Sequence, residues 1–291
     1  MTFKRILDFL WAGDYTSFLE YLEVKARMDQ APLDAELQAR SYYQEQDEVE
    51  EQYQGYGYMV ETYGSVASVS IRGPLITQSS WMSRMFGATG YDEVQNAVSA
   101  AAMEPGIDQI LLDIDSPGGS VAGVAETGSV IRHIDANVMP VSAFTSGTMA
   151  SAAYWIGSSA REVHATEMAS IGSIGVIAVH QEYSKAMEKE GVKPTVFTAG
   201  EYKGIGNPYE PLSESDKEYI QGKVDTSYGF FVDAVADNRG LTTNYVRENS
   251  ANGKDFYAQE AMEVGLIDRV NSFQDVVKLL DSSHNPAYSS T

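Results

Sequence analysis

ILLDIDSPGG, residues 110–119, decides how the chain is read. Its first half is mostly apolar and short, the pattern of a strand buried on both faces. It closes on Pro-Gly-Gly, which stops a strand and lets the backbone turn sharply. A helix-like stretch follows over 120–134. The same grammar extends to either side. Strands are expected over 66–71, 138–144 and 161–165, with helices over 91–103 and 150–159. Further on come strands over 174–179 and 195–198, a long helix over 213–239, a short one over 258–264 and a strand over 266–270. Alternation of this kind predicts an α/β domain with a mostly parallel sheet covered by helices.

The flanks differ. Residues 1–55 read as an acidic N-terminal arm, with helices expected around 3–10 and 15–28. Over 29–51 that arm holds eight acidic residues and one base, Arg40, a charge balance that favours an exposed helix or disorder. Residues 56–280 form one enzyme-sized domain, and 281–291 a Ser-rich flexible tail.

The chain has 291 residues and a formal charge of -21, from 41 acidic and 20 basic side chains. This argues against nucleic acid or an anionic membrane as a partner. With no cysteine there is no disulfide frame, thiolate metal site or cysteine nucleophile. The apolar run at the N-terminus is broken by Asp8 and closed by Gly13 and Asp14, too early for a signal peptide. No stretch approaches the roughly 18 apolar residues of a membrane span. A soluble, cytoplasmic protein is expected.

Three segments could carry chemistry. The glycines Gly118 and Gly119 could aim backbone N–H groups at an oxyanion, or simply make a tight turn. Ser151, in TSGTMASAAYW (145–155), stands at the start of an apolar helix. There it could cap the helix, or act as a nucleophile whose developing negative charge the helix N-terminus stabilises. Lys203 lies in the glycine-punctuated loop FTAGEYKGIGNP (197–208). A lysine takes a proton from serine only when desolvated, and most loop lysines are solvated. Among the other titratable groups, His133, His164, His180 and His284 show no metal-binding spacing, although a Ser-His-Asp triad remains open because triads assemble in space. Asp113 and Asp115 read as braces for the following helix.

Together, DSPGG at 115–119, the serine turn at 149–154, TEMASIGSIGV at 166–176 and AGEYKGIGNPY at 199–209 resemble the signal peptide peptidase A family of serine peptidases. The resemblance covers about 63–270, and the 52-residue separation of Ser151 and Lys203 fits it. It implies a Clp protease/crotonase-like superhelix of β-β-α units. It implies a Ser-Lys dyad acting through an acyl-enzyme, with Ser151 as nucleophile, Lys203 as general base and Ser173 holding the lysine amine. Backbone N–H groups of Gly118, Gly119 and Ser151 would bind the oxyanion. No cofactor or metal is implied. Family members form rings, so a homo-oligomer with sites between subunits is expected.

Residues 88–95 and Asn207-Pro-Tyr209 look closer to the lambda-type head-maturation proteases of tailed phages, which implies scaffold and capsid proteins as substrates and the procapsid as the place of action. A soluble bacterial signal-peptide-peptidase-like enzyme is the alternative. A crotonase-type acyl-CoA enzyme, which shares the fold and oxyanion hole without needing the serine or lysine, is a second. A catalytically silent shell or scaffold subunit is a third.

Overall fold

The computed structural model describes residues 10–13, 59–80, 83–84 and 86–281. Most of the expected arm, including the helix over 15–28, lies outside the described residues, as does the tail beyond Asp281. The one described piece of the arm is a strand, β1 (Leu10–Gly13). Leu10 was expected to end a helix.

The domain is built from repeated β-β-α units. A hairpin of β2 (Val60–Tyr63) and β3 (Val66–Arg72) leads to β4 (Leu75–Ile76), β5 (Thr89–Gly90) and helix α1 (Tyr91–Ala101). Next come β6 (Gln109–Asp115), β7 (Gly118–Ser120) and α2 (Val124–Asn137), then β8 (Val141–Thr145), β9 (Thr148–Ala150) and α3 (Ala152–Ser158). A fourth run holds β10 (Glu162–Ala165), β11 (Ser170–Gly172), β12 (Ile177–Ala178) and α4 (Ser184–Lys189). The remainder is α5 (Glu214–Arg239), α6 (Thr243–Asn249), β13 (Asp255–Tyr257), α7 (Ala258–Glu263), β14 (Arg269–Val270) and α8 (Phe273–Leu280).

The first strand of each unit joins one six-stranded sheet of order β14-β10-β8-β6-β3-β2. All its pairings are parallel except that of β2 with β3. The mostly parallel α/β architecture, wound from β-β-α units, is the one the sequence predicts. The second strands leave that sheet and form two small ones, β12-β1-β7-β4-β5 and β13-β11-β9. Because side chains alternate along a strand, each central strand feeds both layers. Ala67, Val69, Ile71, Ile110, Leu112 and Ile114 point into the main core with the helices, and Val66, Leu111 and Phe144 meet Val276 and Leu280 of α8 on the other face.

Several expectations need correction. Residues 195–198 form no strand. Phe197 there is 91% exposed, and β-branched residues with no partner edge stay irregular. Of 174–179 only Ile177–Ala178 is paired. Gly118 and Gly119 lie in the short strand β7 rather than in a strand-to-helix turn, and the helix expected from 120 begins at Val124. The long helix α5 starts where expected because Ser213 and Asp216 form a reciprocal capping box. It ends at Gly240, which is left-handed at φ 63°.

The end of α5 is tied to the sheet by Arg239, whose guanidinium binds both carboxylate oxygens of Asp268 at 2.9 and 2.8 Å and the Gly265 carbonyl at 3.0 Å. Burial alone would raise the pKa of Asp268, but the hydrogen bonds and charge of Arg239 outweigh it and hold the carboxyl below its ordinary value. A carboxylate depressed in the folded state adds stability above its unfolded pKa of about 3.9, and that stability is lost as pH falls through the folded value. Arg239→Met leaves Asp268 without its partner and should cost about 3 kcal/mol at pH 7. It should cost less at pH 3. Urea unfolding of both proteins at the two pH values checks this.

Candidate active site

The site forms where β6, β9 and β11 end side by side. At the carboxyl end of β6, Ser116 N–H donates to the Thr148 carbonyl at 2.7 Å, and Ala150 N–H donates to the Ser116 carbonyl at 3.2 Å. Asp115 Oδ1 accepts from Thr148 N–H at 2.9 Å. That carboxylate therefore braces the loop before Ser151, not the following helix as expected. Asp113 pairs instead with Arg72 on the neighbouring strand.

β9 runs parallel to β11, with Ala150 opposite Gly172. The chain then turns abruptly into α3 at Ser151, which has φ 56° and ψ -123°. A non-glycine residue in that region carries strain of about 1–3 kcal/mol and persists only where its surroundings enforce it. Here they do so through Ser151 N–H, which donates to the Gly172 carbonyl at 2.7 Å. The capping alternative for Ser151 is not realised, since its side chain makes no cap hydrogen bond. The residue is fully buried, and its Oγ has no hydrogen-bond partner. An unpartnered buried hydroxyl is costly.

Ser173 follows directly, also at positive φ (50°), largely buried and donating its N–H to the Lys254 carbonyl at 3.0 Å. Ser151 and Ser173 are the only non-glycine residues at positive φ among the described residues. Gly118 and Gly119 lie next to them, because Ser116 bridges to Met149 in β9. Gly118 needs its glycine for a φ of 96°. Gly119 needs it for space, since a Cβ there would stand 1.9 Å from the Leu75 carbonyl oxygen.

The expected oxyanion donors are not equally available. Gly118 N–H donates to Ser116 Oγ at 3.2 Å, and the Ser151 N–H is taken by Gly172. Ala152, which sequence reasoning missed, is the first residue of α3, and the N–H at that position has no intrahelical acceptor.

Ser151, Ser173, Gly118 and Gly119 are thus brought together, whereas Lys203 is not joined to them. It sits in an exposed turn, its N–H bonded to the Gly200 carbonyl at 3.1 Å. The lysine whose backbone adjoins Ser173 is Lys254, and its ammonium lies over the Phe256 ring at 4.8 Å. Among the described residues no histidine is hydrogen-bonded to Ser151 Oγ. His164 is buried in β10 beside Glu162 at 3.3 Å, where burial lowers its pKa in spite of that carboxylate. Among the described residues no group of three or more His, Asp or Glu is placed to hold a metal, and no helix is long and apolar enough to cross a membrane.

A scan against family models matches residues 133–285 to peptidase family S49, a span that holds Ser151, Ser173 and Lys203. Capsid assembly protease C of Escherichia phage lambda is 31% identical over 76% of this chain and 49% of its own length. The head-tail preconnector protein GP5 of Enterobacteria phage P21 is 30% identical over 76% of this chain and 43% of its own. A putative signal peptide peptidase SppA of Enterococcus faecium is 33% identical over 59% and 49%. The chain spans about half the length of these relatives. Among solved structures, a ClpP1 mutant of Listeria monocytogenes covers 72% of this chain and 94% of its own at a TM-score of 0.44 and 14% identity.

Proposed function

Because the chain belongs to peptidase family S49, we propose that it is a serine endopeptidase whose nucleophile is Ser151. The observation that carries this is Ser151 itself, a strained, buried serine whose Oγ is left without a partner at the N-terminus of α3. The helix end favours the charge that develops on attack. Ser151 Oγ adds to a peptide carbonyl, and the C–N bond then breaks to leave an acyl-enzyme and a free amine. Water releases the acid and restores the hydroxyl. The oxyanion is received by the N–H groups of Gly119 and Ala152; that of Gly118 bonds Ser116 Oγ and that of Ser151 the Gly172 carbonyl, while Gly119 is paired with Ala12 and Leu75 until a substrate enters.

Lys203 is the base whose neutral amine takes the Ser151 proton and passes it to the leaving amine, with the Ser173 hydroxyl orienting that amine. Such a lysine must be desolvated. Lys203 is exposed in the single chain, so the desolvation comes from a neighbouring subunit in a homo-oligomer. The surroundings of Lys203 suit that role. Phe197 is 91% exposed and Tyr202 56%, an apolar surface of the kind that partners cover.

The substrates are proteins of a phage procapsid, scaffold and capsid proteins among them. The likeness to the lambda capsid assembly protease and to the P21 preconnector protein supports this. The likeness to the Enterococcus SppA supports a peptide-degrading housekeeping enzyme as a second reading. Co-expression with the neighbouring genes' products separates them, since only a capsid protease shortens scaffold or capsid chains.

A fluorophosphonate probe tests the nucleophile. It should add to the tryptic peptide holding Ser151 and to no other, and Ser151→Ala should remove the label. Labelling elsewhere, or peptide hydrolysis at full rate by Ser151→Ala, would sink the assignment of the nucleophile, and neither labelling nor peptide hydrolysis by the unaltered chain would favour a crotonase-type enzyme that uses the oxyanion hole alone.

A further inference from the structure

The second strands of the β-β-α units leave a slot, and the N-terminal arm fills it. β1 lies between β7 and β12 and runs antiparallel to both. Trp11 is opposite Ser120 on one side and Ile177 on the other. No other pairing joins β7 to β12, so among the described residues β1 alone closes that sheet. With strands about 4.8 Å apart, the gap it occupies is about 9.6 Å wide, the width of one extended chain.

The place of this slot gives it meaning. One wall, β7, carries Gly119, and the other, β12, follows Ser173 by a few residues. The occupant runs towards the nucleophile, because its last residue, Gly13, pairs with Gly118. Gly118 in turn lies two residues from Ser116, which meets the serine strand at Met149. A protein substrate that adds to both edges in extended form would make the same backbone pairings. Two chains cannot occupy one strand position.

We infer that Leu10–Gly13 occupies the substrate groove of the proposed peptidase, so that the N-terminal arm holds the site closed until a substrate or an assembly partner displaces it. The inference rests on the assignment of the active site around Ser151. A strand tethered to the domain through residues 14–58 competes at an effective concentration set by the length of that link, which excludes weak substrates. It admits those that bind the groove more tightly or that detach the arm.

Three forms of the chain test this: the full chain, the full chain with Trp11→Pro, and a chain lacking residues 1–13. Proline removes an N–H and is excluded from a strand paired on both sides, so the substitution unseats β1 while keeping the rest of the arm. A fluorogenic peptide with small residues before the scissile bond reports the groove, and the fluorophosphonate reports the serine. Both altered chains should hydrolyse the peptide at least about tenfold faster than the full chain. A synthetic peptide of residues 8–14 should slow the shortened chain competitively. Equal hydrolysis by all three, with all three labelled at Ser151, would overturn the inference while leaving the active site in place. No labelling of Ser151 in any of them would overturn both.

Discussion

Ser151→Ala and Lys203→Ala chains, each inactive alone, will hydrolyse peptide once mixed. Either substitution should lower the rate by roughly 10⁴-fold or more, since a nucleophile and its base act as a unit and losing one costs nearly as much as losing both. If Lys203 serves the serine of a neighbour, a ring assembled from equal amounts of both chains holds some sites with an intact serine facing an intact lysine. At random they make up roughly a quarter of the total, as follows from a head-to-tail interface. The expectation starts from two facts, an unpartnered Ser151 Oγ and a Lys203 held out in an exposed turn. Lys254→Ala serves as the control, because its ammonium already lies over Phe256, and it should keep most of its activity. Verified mixed oligomers with no recovery would place both residues in one subunit.

The second large effect is expected at Gly119. An alanine methyl there would stand 1.9 Å from the Leu75 carbonyl oxygen, and Leu75 is fully buried. The pairing of β4 with β7 must open to admit it, and Gly119 N–H moves with the strand. Overpacking of this kind costs about 1–3 kcal/mol, and the loss of one oxyanion donor costs about 10²–10³-fold in kcat. Gly119→Ala should therefore remain folded with a lowered urea midpoint, while both peptide hydrolysis and fluorophosphonate labelling fall at least a hundredfold. A normal labelling rate in a folded variant would remove Gly119 from the oxyanion hole.

How legible these features were depended on whether their causes were local. Residues 110–114 read as a strand because a short apolar run bounded by turn residues has few other solutions, and β6 extends it by one residue at each end. The long helix α5 was legible through its cap and its closing glycine. The two- and three-residue strands were not, since β7, β9 and β11 are too short for a period to show. The strand Leu10–Gly13 was missed for a different reason, its first residue being read as the end of a helix. Its neighbours suggest a helix, and only the two open edges of β7 and β12, more than 100 residues away in the chain, make it a strand. Tertiary context overrode local preference there.

At the site, the serine turn and its glycines were visible as motifs. Which N–H groups remain free was not. That depends on Gly172 lying beside Ser151, a consequence of the parallel pairing of β9 with β11. The exposure of Lys203 was equally hidden, since a motif records which residue is present and not how much water surrounds it.

The left-handed backbone at Ser151 and Ser173 bears on the protein's descent. Glycine at either position would relieve the strain of about 1–3 kcal/mol that a side chain imposes there. In a lineage that no longer needed the hydroxyls, that gain would be open to single substitutions, and drift would tend to take it. If the two serines hold the proposed roles, a descendant carrying glycine at both would be one in which selection for cleavage had already ended.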